Sequence, residues 1–258
     1  METRDDKPLH TNPVCKNCNN TLHGNFCSNC GQTADTHPIN FHYLWHDVQH
    51  TVLHVDKGFF FTLKELFTRP GHAIREFIDG KRVMHFKPFA LVLVLAGAYG
   101  FLYHFFEIND IPQVTADRTL VQTTSKTNDW LSSHYSLAVV MMLPFFALGS
   151  FLVFRKSGYN YVQNLVINLF LTAQLLVVSL LLFPLTYYYS VAAPGISTMV
   201  ASTIGLALYI WSFIQLFKNE SKVIIGLKAL WSYILSLLFM LVLSAVIGIV
   251  IGVFFLKK

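Results

Sequence analysis

From residue 88 onward the chain alternates long apolar runs with short polar breaks. Five uncharged stretches, at about 88–106, 135–154, 163–188, 197–217 and 229–256, reach the roughly 20 residues a helix needs to cross a hydrocarbon core of about 30 Å. The runs are continuously apolar with no period-2 alternation, so helices rather than strands are predicted; each helix satisfies its own backbone in lipid. Upstream the pattern changes. Apolar residues at 41, 44, 45, 48, 52 and 55 fall within an arc of about 100°, the signature of an amphipathic helix. Asn40 is its expected N-cap and Gly58 its expected break. Residues 59–67, rich in Phe and too short to span, read as an interfacial helix. Arg69-Pro70-Gly71 reads as a turn. A further short helix over 72–79 buries Ala73, Ile74, Phe77 and Ile78, with Gly80 at its C-terminal cap.

Composition agrees with this picture. Of 258 residues, 53% are hydrophobic and only 13% charged, against about 25% in soluble domains, and the mean hydropathy is +0.48. A disordered chain and an ordinary soluble globule are both excluded. Lys and Arg number fifteen in the N-terminal region, the 155–156 loop and the 218–228 connector, against four in the remaining loops and the C-terminal end. By the positive-inside rule this predicts a cytosolic N-terminus and an external C-terminus, with Lys257-Lys258 a small violation that leaves a re-entrant last helix open. The first thirty residues lack an apolar signal core, so the first span is expected to direct its own insertion.

All four cysteines lie in one window, Cys15-Lys-Asn-Cys18 and Cys27-Ser-Asn-Cys30. Two C-x-x-C pairs with a short gap supply four thiolates for a tetrahedral ion, and Zn2+ is the expected one, structural because no position stays open. Asn19 and Gly31 follow the two pairs, where a turned backbone is needed. A pair of disulfides is disfavoured in a reducing cytosol, and His23 is read as a loop residue. With only Lys16 nearby, nucleic-acid binding is not expected. Contact with a protein partner, or docking onto the chain's own membrane domain, is.

Three further groups carry candidate chemistry. His42, His46, His50 and His54 form a ladder at i, i+4 spacing on the polar face of the 41–55 helix. Such a ladder can hold a second metal or sense pH, but without a third partner a solvated polar face is preferred. Arg69, Lys81, Arg82 and Lys87 belong to a basic collar before the first span. The collar reads equally as positive-inside anchoring and as an anionic headgroup site. Asn164 and Asn168 sit one turn apart in the third span, for helix packing or a polar niche. Ser244, Gly248 and Gly252 make a small-residue stripe, suited to packing within the bundle and able to support a homodimer. No Asp, Glu, Lys or Arg lies inside a span, which argues against proton-driven transport and intramembrane aspartyl proteolysis.

The run His54-Val-Asp-Lys-Gly-Phe59, Thr62-Leu-Lys-Glu-Leu66, Arg69-Pro-Gly71 and Gly80-Lys-Arg82 through Phe86-Lys-Pro-Phe89 resembles a bacterial membrane family catalogued as domain of unknown function 3667. Members of that family carry a four-cysteine ribbon ending Cys-Gly-Gln, here Cys30-Gly31-Gln32, then a linker, this stretch, and several spans. The resemblance is specific over about residues 15–90 and departs at Asn19, where the family usually has Gly. It implies this architecture and brings no activity with it.

The expectation is an all-α integral membrane protein: a cytosolic zinc ribbon with its tail (1–35), amphipathic juxtamembrane helices (36–87) and a five-span domain (88–258), in a bacterial inner membrane. The first functional reading is a non-enzymatic adaptor or assembly factor whose ribbon and collar recruit a partner or anionic lipid. A carrier or flippase for a lipid-like substrate is the alternative, followed by a metalloenzyme built on the His ladder.

Overall fold

The computed structural model describes residues 14–41, 57–106, 108, 133–189, 196–218 and 220–256, with Lys57 and the last ten of these described by their backbone alone. Among them no strand forms, and the helices are α1 (Lys57–Thr68), α2 (Pro70–Asp79), α3 (Pro88–Phe105), α4 (Tyr135–Val153), α5 (Tyr161–Leu181), α6 (Phe183–Tyr189), α7 (Ile196–Leu216) and α8 (Lys222–Leu256). Five of these, α3, α4, α5, α7 and α8, are long and apolar enough to cross a membrane. The chain is therefore a multi-pass membrane protein.

Helix ends depart from the sequence expectation where local chemistry outweighs hydropathy. The third run begins earlier than expected, because Asn160 and Gln163 form a capping box: each side chain pairs with the other residue's backbone N–H, satisfying two orphan donors. The same run breaks after Leu181, and α6 resumes with Pro184 in its first turn, where a missing N–H costs nothing. α8 begins at Lys222, seven residues before the expected start, and Lys228 reaches back to Glu220 Oε2 at 2.6 Å. Pro70, expected in a turn, opens α2 instead.

α5 is the central helix, with 61% of its apolar window buried inside the protein against 17% for α8. It packs on α3, α4 and α7, while α8 packs on α4 and α7 from outside. The poorly buried faces of the outer helices are apolar, which suits lipid as their solvent. α1 and α2 dock on the end of this bundle. Leu66 is buried, and its carbonyl accepts from Gln174 Nε2 of α5 at 2.6 Å, while Gln174 Oε1 accepts from Ser212 of α7. Thr62 Oγ1 accepts from the Phe86 amide at 2.7 Å. The buried face of α2 is the one its periodicity predicts: Ala73, Ile74, Phe77 and Ile78.

His85 sits in this layer among the rings of Phe61, Phe77 and Phe170, all edge-on to it. Its Nδ1 is buried without a hydrogen-bond partner among the described residues. Burial disfavours the imidazolium and lowers the His85 pKa, with Glu65 and Glu76 opposing the shift. Above about pH 6.5 the ring is neutral folded or unfolded and pH is without effect. Below it the unfolded chain takes up a proton that the folded one resists, so stability falls with acidification. His85→Phe removes that proton and keeps the aromatic nest. Its melting temperature in detergent is expected to fall less than the wild type's between pH 7 and 5; parallel profiles would count against the assignment.

Candidate metal centre

The two C-x-x-C pairs build two copies of one turn. Val14-Cys-Lys-Asn-Cys-Asn-Asn-Thr21 and Phe26-Cys-Ser-Asn-Cys-Gly-Gln-Thr33 share their pattern at an offset of twelve residues, and their backbones repeat it. Val14 bridges Thr21 as Phe26 bridges Thr33. The Cys15 amide donates to Asn20 O and the Cys27 amide to Gln32 O, both at 2.8 Å. The Asn19 and Gly31 amides return to the first cysteine's carbonyl, both at 2.9 Å. Each turn closes through a left-handed residue, Asn19 at φ 59° and Gly31 at φ 74°, the backbone that Gly adopts freely and Asn tolerates. The repeat of apolar-Cys-x-Asn-Cys and the closing Thr was present in the sequence as a signal beyond the cysteines alone.

The turns face each other. Cys15 Sγ lies 3.6 Å from Cys30 Sγ, Cys18 Sγ lies 3.4 Å from Cys27 Sγ, and all four sulfurs fall within 4.8 Å of one another. A tetrahedron with metal–sulfur bonds of about 2.3 Å has edges of roughly 3.8 Å, so the set fits a single ion. The four thiols are free rather than paired as disulfides. Asn29's side chain and the Asn20 amide hydrogen-bond to Cys18 and hold its thiol down to about 6, which favours the thiolate a metal requires. Together these four cysteines could hold a metal ion. His23 is exposed and outside the cluster.

The second turn is fastened to the helical layer by one side chain. Gln32, only 4% exposed, donates from Nε2 to Gly80 O at 2.9 Å, and its Oε1 accepts from the Arg82 amide at 2.9 Å and the Val83 amide at 3.3 Å. These backbone groups become available because α2 ends at Gly80, which is left-handed at φ 112°. A Cβ there would lie 2.8 Å from Lys16 Cδ. Arg82 lies against the Phe77 ring and donates to Phe77 O and to His37 O, at 3.1 and 3.0 Å. Ile39 is fully buried, with its carbonyl accepting from Asn160 Nδ2 at 3.1 Å. Residues 32–39 are thus tied to the ends of α2 and α5. The role of Gln32 escaped sequence reasoning, since its partners are backbone groups about fifty residues away.

The other candidate residues are placed as follows. His42, His46, His50 and His54 lie outside the described residues. Arg69 and Lys81 are brought together by Glu76: Arg69 reaches Glu76 Oε2 at 3.2 Å and also pairs with Glu65, and Lys81 reaches Glu76 Oε1 at 3.3 Å. Burial works against the Glu76 carboxylate, but Lys81 and Arg69 outweigh it and lower its pKa. Lys87 is exposed at the start of α3. Asn168 Nδ2 donates to Ser150 Oγ and Asn164 O, both at 2.8 Å, and Asn164 Nδ2 to Asn160 O at 3.0 Å. Ser244 is exposed on α8, with its hydroxyl turned back to Leu241 O. Gly248 and Gly252 lie in the part of α8 described by its backbone.

Residues 56–100 match the family model described as "Protein of unknown function (DUF3667)". The matched stretch runs from Asp56 through α1, α2 and the Gly80-Lys81-Arg82 segment into α3, and it bears out the resemblance drawn from those motifs. No curated protein and no solved structure matches the chain.

Proposed function

We propose that this protein is a membrane-embedded adaptor whose four-cysteine unit, a zinc ribbon, is held in a set orientation at the membrane face to recruit a partner protein. The observation that carries the reading is the Gln32 attachment. A ribbon on a free linker would sample many orientations. This one is held by the buried Gln32 side chain, which donates one hydrogen bond and accepts two, by Arg82 to His37 O, and by Asn160 to Ile39 O. The two residues preceding the cysteine pairs, Val14 and Phe26, are apolar and exposed, 44% and 65%. They occupy equivalent positions in the two turns and supply an apolar contact of the kind partners bury. Zinc is the ion that four thiolates at tetrahedral spacing suit best. The excess of Lys and Arg on the N-terminal side supports a cytosolic ribbon on a bacterial inner membrane. Lys87 and its neighbours would favour anionic lipid beneath it.

The test is site-specific photo-crosslinking in native membranes of the full chain, with the probe at Asn25, exposed and next to Phe26. An adduct of one defined mass is expected. It should be lost in Val14→Asp plus Phe26→Asp and reduced several-fold in Gln32→Ala, with metal content unchanged in both. Adducts that persist in the double variant would overturn the reading.

A further inference from the structure

α1 buries one side and leaves the other uncovered. Thr62 and Leu66 are buried, and Phe59 meets the Phe86 ring edge-on at 5.6 Å. At about 100° per residue, Phe60, Lys64 and Phe67 fall on the side turned away from Thr62 and Leu66. Phe60 is 70% exposed, Lys64 is exposed and Phe67 half-buried. A helix face turned to water is polar. This one carries two phenylalanines and one cation, and no Asp or Glu shares it.

The loop from α2 to α3 adds two more apolar side chains. Its His85 ring packs on Phe61, and its Phe86 amide donates to Thr62 Oγ1 at 2.7 Å, so the loop is strapped to α1. Val83 and Met84, just before them, are 41% and 52% exposed. The His85 amide returns to Arg82 O at 3.0 Å, which folds this stretch into a turn instead of letting it reach away from α1. The depth of the strap follows from α3. With 18 residues, about 27 Å of helix, α3 needs its whole length for a hydrocarbon core of about 30 Å, which puts Pro88 at the edge of that core. Phe86 is two residues earlier, at most about 7 Å of chain. The headgroup layer is about 5–8 Å deep on each side, so Phe86 and the Thr62 hydroxyl bonded to it lie inside that layer. Phe60 is about 3 Å of rise from Thr62 along the same helix.

We infer that the outer face of α1 and the Val83–Met84 turn form one membrane-docking surface, seated on the phospholipids of the ribbon-side leaflet. Phe60, Val83 and Met84 meet the upper acyl chains, and Lys64 lies among the phosphates. The occupant follows from continuity, since the surface runs directly into a membrane span and sits at the depth of the headgroups. Its composition agrees: aromatic rings with a long cationic side chain suit a boundary that is apolar below and anionic above. The inference does not rest on what the ribbon recruits. It does set where the ribbon stands, because Gln32 accepts from the Arg82 and Val83 amides of this same loop.

The experiment is lipid photolabelling of the full chain in vesicles of dioleoylphosphatidylcholine and dioleoylphosphatidylglycerol. The vesicles contain a phosphatidylcholine with a diazirine near the ester end of one acyl chain, and adducts are located by peptide mass spectrometry. Trp231, 59% exposed in the third turn of α8, is the lipid-facing reference. Phe60 and Met84 are expected to be labelled in yields comparable with Trp231. Phe60→Asp plus Met84→Asp should lower labelling of Phe67 and Val83 several-fold and leave Trp231 unchanged. Melting in detergent checks the fold of the double variant, and the wild-type labelling decides should that variant fail to fold. Labelling of Trp231 without Phe60 and Met84, as cover by water or by protein would give, would overturn the proposal. So would labelling of Phe67 and Val83 that a folded double variant leaves unchanged.

Discussion

Purified in detergent, the wild-type chain is expected to carry one zinc ion, and Cys15→Ser plus Cys18→Ser none. The reason is the geometry of the sulfurs. Two thiolates from one turn leave half a tetrahedron, which binds far more weakly than the closed set. Structural zinc sites of this size contribute on the order of 10–16 kcal/mol to folding, and the two turns have little else. Their buried apolar side chains are Cys15 and Cys27 themselves. Metal loss should therefore unfold the ribbon outright and release the Gln32 attachment with it. The spans should survive, because the core around α5 draws on Leu91, Ile167, Phe170 and Phe213 and on no ligand. Limited proteolysis after chelation is expected to cut within residues 14–40 while the helical far-ultraviolet signal is largely retained. A metal that persists in the double variant, or a ribbon that resists protease without metal, would contradict the assignment.

Gly71→Ala is expected to destabilise the helical layer by about 3 kcal/mol or more, a fall on the order of 10 °C in melting temperature. Gly71, in the first turn of α2, lies directly against the end of α7. A Cβ there would come within 2.5 Å of Ser212 O and Gln215 Cβ, and closer still to the Leu216 amide nitrogen. Two of those atoms are backbone, so neither can swing aside. The shift needed to admit a methyl would also disturb what α2 does for α7. The last carbonyls of a helix lack intrahelical donors. Here Arg75 donates to Gln215 O at 2.6 Å and to Leu216 O, and the Gly71 amide meets Gln215 Oε1 at 3.2 Å. A cation at that helix end is favoured by the dipole as well. Thermal unfolding followed by tryptophan fluorescence in detergent tests this, and an unchanged midpoint would show that the layer yields more readily than its backbone contacts imply.

The spans were legible because lipid leaves a chain few choices. A backbone that must satisfy itself over about 30 Å writes its requirement into some twenty consecutive apolar residues, and nothing distant can override it. α2 was legible for a related reason, since its buried stripe and its Gly80 cap are both local. The cysteine turns repeat over eight residues, and closure of each depends on its own Asn19 or Gly31. Helix ends were less legible where one side chain decided them. The Asn160–Gln163 box lengthened α5, and Pro184 restarted the chain as α6.

What only the tertiary structure decided is which polar groups are already spoken for. The basic collar reads in sequence as a row of free cations, yet Arg69 and Lys81 share Glu76, Arg75 caps α7, and Arg82 ties down residue 37. Gln32 and Gln174 look like ordinary polar residues in the chain, yet each is buried on backbone atoms of a remote element. Hydropathy and periodicity report the medium a residue prefers, a property of its own side chain and near neighbours. A hydrogen bond to Gly80 or Leu66 depends on where two helices happen to end in space, and no local pattern carries that information.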